Sequence, residues 1–196
     1  MIALGLDPGK SKTAVAIVEA APLDGALRPV CRRVEIVHRD ETAGTQDYLR
    51  RVADAVACRI VDRACVERME ISMKRSASRG NERDRTTWAD MEPLVLVTAA
   101  ALLALEQGSP TARVEFSPPR IWKGGASKLA DHAWLARRLG WTTRELSDHR
   151  RPTSFGRYEP PELIGFKGKA GAEWRDGMDA VSMAVRTLDR RAVRRF

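Results

Sequence analysis

Cysteine is scarce in this sequence. Cys31, Cys58 and Cys65 are odd in number and show no CxxC spacing, so no disulfide framework is encoded and buried, reduced thiols are expected. Histidine is equally thin. His38, His132 and His149 lie far apart and form no HxxxH-type pair, so a zinc site is not expected. A long hydrophobic run is missing too. The longest, Leu94 to Leu105, is broken only by Thr98 and covers 12 residues, against about 20 for a membrane span, so no membrane association is expected. The opening MIALGLDPG reads as a strand running straight into a turn rather than a secretory leader, which makes the cytoplasm the expected location.

Acidic charge is in deficit, and only at one end. Residues 1–62 carry 9 basic and 9 acidic side chains, residues 63–119 carry 8 and 8, and residues 120–196 carry 17 and 9. The whole net charge of +8 therefore belongs to the last 77 residues. Of the 34 basic residues 27 are Arg, the side chain that forks two donors onto a phosphate. A one-sided basic charge points to a polyanionic partner, with nucleic acid the first choice. At 43% hydrophobic and 31% charged, the chain has a globular composition rather than that of a disordered tail.

The 196 residues fit a single domain. Strands are expected at 2–6, 13–18 and 30–37, with Pro22, Asp24, Gly25 and Pro29 marking the loop between the last two. Tyr48, Leu49, Val52, Val56, Ile60 and Val61 recur at helical spacing and predict a helix over 45–63. A fourth strand follows at 64–67, extending toward Ile71, then a polar basic loop over 72–87. Residues 88–106 read as a helix that is apolar on nearly all sides and so buried on several faces or engaged in a subunit contact. A fifth strand at 113–117 ends at Pro118-Pro119. Helices over 128–139, closed by Gly140, and 173–191 complete the chain, and residues 141–172, rich in Pro, Gly and charge, read as a loop insertion. The order β-β-β-α-β-α-β-α-α predicts an α/β fold with a mixed five-stranded sheet flanked by helices.

The acids fall on this map in a pattern. Asp7 ends the first strand, Glu67 lies in the fourth, and Asp176 and Asp179 are three residues apart on one face of the last helix. A carboxylate inside a strand is disfavoured unless something requires it. Taken singly, Asp7 is explained as a turn residue and Asp176 as a helix-start acid favoured by the dipole. Taken together, four carboxylates from three elements at one end of a sheet would repel one another unless cations bind, and hard oxygen donors suit Mg²⁺ or Mn²⁺. Two such ions can serve the attacking and leaving oxygens of a phosphodiester.

The segments GLDPGKSKTAVAIVE, ACVERME and EWRDGMDAVSMAV resemble the three acidic motifs of RuvC-like Holliday junction resolvases, in the ribonuclease H-like superfamily. PPRIWKGGASK resembles the basic segment that precedes a helix there. The resemblance covers most of the chain in the right order and leaves 141–172 unmatched. It implies a ribonuclease H-like fold, Asp7, Glu67, Asp176 and Asp179 as ligands of two Mg²⁺ (or Mn²⁺) ions, and Lys123 and Lys128 as basic residues near the scissile phosphate and junction. It also implies a four-way DNA junction as substrate, paired nicks leaving 5′-phosphate and 3′-hydroxyl ends, and a homodimer formed through the 88–106 helix. Where the bacterial enzymes carry a junction-centre aromatic, three residues after the strand glutamate, this chain has Glu70. Together with the insertion, that indicates a divergent or phage-type relative, at work in a bacterial cell or a phage-infected host.

Lys74, Arg75, Arg79, Arg83 and Arg85 leave the strand that carries Glu67 and are candidate DNA contacts, as is Arg120. Lys10, Ser11 and Lys12, after the DPG turn, fit a phosphate contact and an exposed hairpin equally well. Two rival functions remain at this point. One is another nuclease of the same fold, acting on RNA or flap DNA. The other is a junction-binding protein that no longer cleaves.

Overall fold

The computed structural model describes residues 1–23, 25–40, 42–68, 88–118, 128–140 and 173–189, with backbone alone at 88–90, 128, 129, 132 and 173–175. Within them lie β1 (Ile2–Asp7), β2 (Lys12–Leu23), β3 (Ala26–His38), α1 (Gly44–Ala57), β4 (Arg63–Glu67), α2 (Trp88–Gly108), β5 (Arg113–Ser117), α3 (Lys128–Leu139) and α4 (Glu173–Asp189). The sheet order is β3-β2-β1-β4-β5. β1, β2 and β3 pair antiparallel, whereas β4 runs parallel to both β1 and β5. The expected mixed five-stranded sheet is present.

Side chains along a strand alternate between faces, and here that alternation builds two cores. Ala3 of β1, Ala14, Ala16 and Val18 of β2 and Cys65 of β4 pack with Met178, Val181, Ala184 and Val185 of α4 and Leu135 of α3. Leu4 and Leu6, Val15, and Ala64 and Val66 face the other way, onto Tyr48, Val52 and Val56 of α1 and Val97, Ala101 and Leu105 of α2. α4 is enclosed on nearly every side because it lies on the sheet and also meets α3. There Arg186 pairs with the buried Asp131 and stacks 4.1 Å above the Trp134 ring.

Several boundaries differ from the sequence reading. The β2–β3 hairpin runs on through the pairs Pro22↔Leu27 and Leu23↔Ala26, with Pro29 also in register. β3 is an edge strand, where a missing N–H leaves the ladder intact, and Gly25 at φ +79° closes the turn. α1 stops at Ala57 rather than at residue 63. Ile60 is 74% exposed while Val61 is buried, because the Val61 N–H donates to Ser109 Oγ at 2.9 Å and the Asp62 N–H to the Ile2 carbonyl at 2.9 Å. Those bonds pull the chain out of helix and into β4. Cys58 is exposed, against the expectation of three buried thiols, since the last turn of α1 carries it to the surface. Over Met91–Gly108, α2 is also long and apolar enough to cross a membrane by length and composition, a property the 12-residue run understated. One of its faces is core; the other exposes Val95, Leu96 and Leu103.

Candidate active site

Strand parity sets Asp7 and Glu67 at neighbouring strand ends. Leu6 pairs with Val66 across the parallel β1–β4 ladder, so the next residues, Asp7 and Glu67, end adjacent strands side by side. Asp7 shares its face with Ala3 and Gly5, Glu67 with Cys65, and Lys12 of β2 with Ala14 and Ala16. That is the face covered by α4. Helix and strand approach here at Gly5: a Cβ there would lie 1.9 Å from the Ala180 carbonyl oxygen and 3.0 Å from the Ala184 nitrogen. Only glycine permits that contact. It lays the α4 stripe Asp176–Ala180–Ala184 along β1 and directs the first turn of α4 toward the strand ends that carry Asp7 and Glu67.

The turn between β1 and β2 is closed by a hydrogen-bonded ring. The Gly9 N–H donates to Thr13 Oγ1 at 3.3 Å, and the Tyr48 hydroxyl donates to the Gly9 carbonyl at 2.8 Å. The remaining bond, 2.7 Å between Thr13 Oγ1 and Tyr48 Oη, must then be donated by Thr13, since Tyr48 has one proton and has spent it. Both side chains are buried, and burial holds the Tyr48 phenol above its ordinary pKa, against a smaller opposing effect from the Thr13 hydrogen bond. Gly9 has no room for a side chain, because a Cβ would lie 2.1 Å from the Lys12 carbonyl oxygen. The turn that follows Asp7 is thus tied to α1 across the sheet.

Asp179 is 3% exposed, and its Oδ1, like Glu67 Oε2, is sealed from solvent. Asp176 is half-buried, and its Oδ2 lies 2.6 Å from Lys12 Nζ. Among the described residues no three His, Cys, Asp or Glu side chains are gathered closely enough to hold a metal ion. The backbone delivers the four carboxylates to one end and one face of the sheet, but the side chains are not drawn together around a common point. The donor set, hard oxygens with two of them removed from water, fits Mg²⁺ or Mn²⁺. The Lys12 ammonium stands against Asp176 as a positive charge among these acids.

Of the other expected site residues, Lys74, Arg75, Arg79, Arg83, Arg85, Arg120 and Lys123 lie outside the described residues, as does the 141–172 segment. Lys128 opens α3 and only its backbone is described. The Gly9–Thr13–Tyr48 ring was not expected. Its signals were faint: a threonine within an otherwise apolar strand, and one of two tyrosines in the chain.

No family model and no curated protein matches the chain. Solved structures do. A Thermus thermophilus RuvC structure superposes with a TM-score of 0.65 at 17% identity, covering 98% of this chain and 97% of that one. T. thermophilus RuvC in complex with Holliday junction substrate gives 0.64 at 15% identity, covering 98% and 96%. The fowlpox virus Holliday junction resolvase gives 0.50 at 11% identity, covering 97% and 99%. The described residues have the RuvC-like ribonuclease H fold.

Proposed function

We propose that this RuvC-like fold is a divalent-metal-dependent endonuclease that resolves four-way DNA junctions by paired nicks. What supports this reading most directly is that Asp7 and Glu67 end adjacent strands on the face covered by α4, the helix that carries Asp176 and Asp179. It is supported by the likeness to junction resolvases, one of them solved with its junction.

Asp7, Glu67, Asp176 and Asp179 would hold two Mg²⁺ or Mn²⁺ ions. Such a pair, when bound, supplies an activated water and stabilises the leaving oxygen of an in-line displacement. The protein's own contribution is placement. Asp7 is held between a β-ladder and the closed turn after it, Glu67 ends the neighbouring strand, and the Gly5 contact sets the approach of α4. Affinity would come from basic side chains on phosphates, with Lys123, Lys128, Arg120 and the basic residues of 74–85 as the candidates. Val95, Leu96 and Leu103, exposed along α2, suit a contact with a second copy. A twofold dimer would set two sites on a twofold junction.

A second reading, a junction-binding protein that does not cleave, is favoured by one observation: the described carboxylates are not gathered at metal-holding spacing. Incubation of the purified chain with an immobile four-way junction, linear duplex and an RNA–DNA hybrid, with Mg²⁺ and with EDTA, separates the readings. Paired, Mg²⁺-dependent cuts in the junction alone support a resolvase. Junction binding without cuts supports the second reading, and cuts in the hybrid support another nuclease of this fold.

A further inference from the structure

Lys12 opens β2 on the face covered by α4, two residues from Ala14, whose partner in the ladder is Asp7. Its backbone is fixed on both sides: Thr13 belongs to the ring with Gly9 and Tyr48, and its own carbonyl occupies the space a Cβ on Gly9 would need. From that anchored position its Nζ reaches Asp176 Oδ2 at 2.6 Å, with the two side chains 29% and 27% exposed. Resting on the metal-dependent reading above, we infer that the Lys12 ammonium is a resident cation of the acidic site. It neutralises Asp176 in the metal-free protein, and a divalent ion displaces it to use that carboxylate.

Charge and side-chain chemistry make this exchange work. Carboxylates drawn to one sheet end repel one another, and a tethered ammonium offsets part of that repulsion while no ion is bound. A half-exposed ion pair is weak, so a doubly charged ion can break it at small cost. Lysine is also the suitable residue. Its single point charge on a flexible stem can swing away, whereas an arginine would clamp the carboxylate with two donors.

The test is Mn²⁺ binding to the full chain without DNA, by calorimetry, comparing wild type with Lys12→Met, Lys12→Gln and Lys12→Arg. Lys10→Met, which removes the same charge from the same turn, is the control. Lys12→Met and Lys12→Gln are expected to bind Mn²⁺ about two- to fivefold more tightly, the scale of a half-exposed pair, Lys12→Arg more weakly, and Lys10→Met close to wild type. Two results overturn the inference while leaving the metal site standing: wild type binds Mn²⁺ and neither neutral Lys12 variant binds it more tightly, or Lys10→Met tightens binding as much as Lys12→Met does. If neither wild type nor any variant binds Mn²⁺, the metal-dependent reading fails first and this inference with it. The two failures are therefore distinct.

Discussion

Asp7 occupies a position that no other residue of β1 could fill for this purpose. It is the last ladder residue, it faces α4, and it stands beside the end of β4. Asp7→Asn keeps size and hydrogen-bonding capacity while removing the charge a cation needs. It should abolish Mg²⁺-dependent cleavage and leave junction affinity within about twofold, because affinity rests on Lys and Arg; gel-based cleavage and a fluorescence titration check the two halves. Gly5 is critical for a different reason. A methyl there meets the Ala180 carbonyl oxygen and the Ala184 nitrogen, backbone atoms that cannot turn aside. Gly5→Ala should cost about 2–3 kcal/mol in urea unfolding, at the upper end of overpacking penalties. It should also lower cleavage in whatever remains folded, since α4 and its two acids must shift.

At the scale of elements, the ring linking Gly9, Thr13 and Tyr48 joins the β1–β2 turn to α1. Tyr48→Phe removes the donor to Gly9 and the acceptor for Thr13 at once, so a buried hydroxyl loses its partner. The expected cost is about 1–3 kcal/mol. Thr13→Val combined with Tyr48→Phe should cost less than the sum of the two, because each single change already breaks the ring; a double-mutant cycle in urea measures this. α2 has two apolar faces with different fates. Val97, Ala101 and Ala104 are core, while Leu103 is 59% exposed and shares its side with Val95 and Leu96. If that side contacts a second copy, Leu103→Glu should weaken self-association at least about tenfold, because the charge would lose its hydration in the contact, with little change in the melting temperature of the monomer. Light scattering across a concentration series reads this, and an unaltered mass would remove α2 from the interface.

For the molecule as a whole, the uneven charge matters most. All of the net +8 lies in residues 120–196, so junction affinity should fall steeply with salt, each phosphate contact adding about 0.9 to the log–log slope. Lys123→Ala with Lys128→Ala should lower that slope by up to about 1.8. Fluorescence titrations at several salt concentrations test it, and an unchanged slope in a folded double variant would turn attention to the basic residues of 74–85. What the sequence determined alone was local or periodic. The order of elements followed from runs of period 2 and 3.6, and Asp7, Glu67, Asp176 and Asp179 stood out as acids on three elements in a recognisable order. Where local signals conflicted, the sequence misled: Ile60 and Val61 continued a helical period that hydrogen bonds to Ser109 and Ile2 interrupt, and Pro22 and Pro29 looked like loop residues although they pair in the stretch of the β2–β3 hairpin that runs on beyond the β1 ladder. Only the tertiary structure decided which side of α2 is core, how closely α4 approaches β1, and what Lys12 touches. Gly5 with Ala180, Thr13 with Tyr48 and Lys12 with Asp176 are pairs far apart in the chain. No spacing along the chain encodes them, because each exists only once the sheet has brought its two elements together.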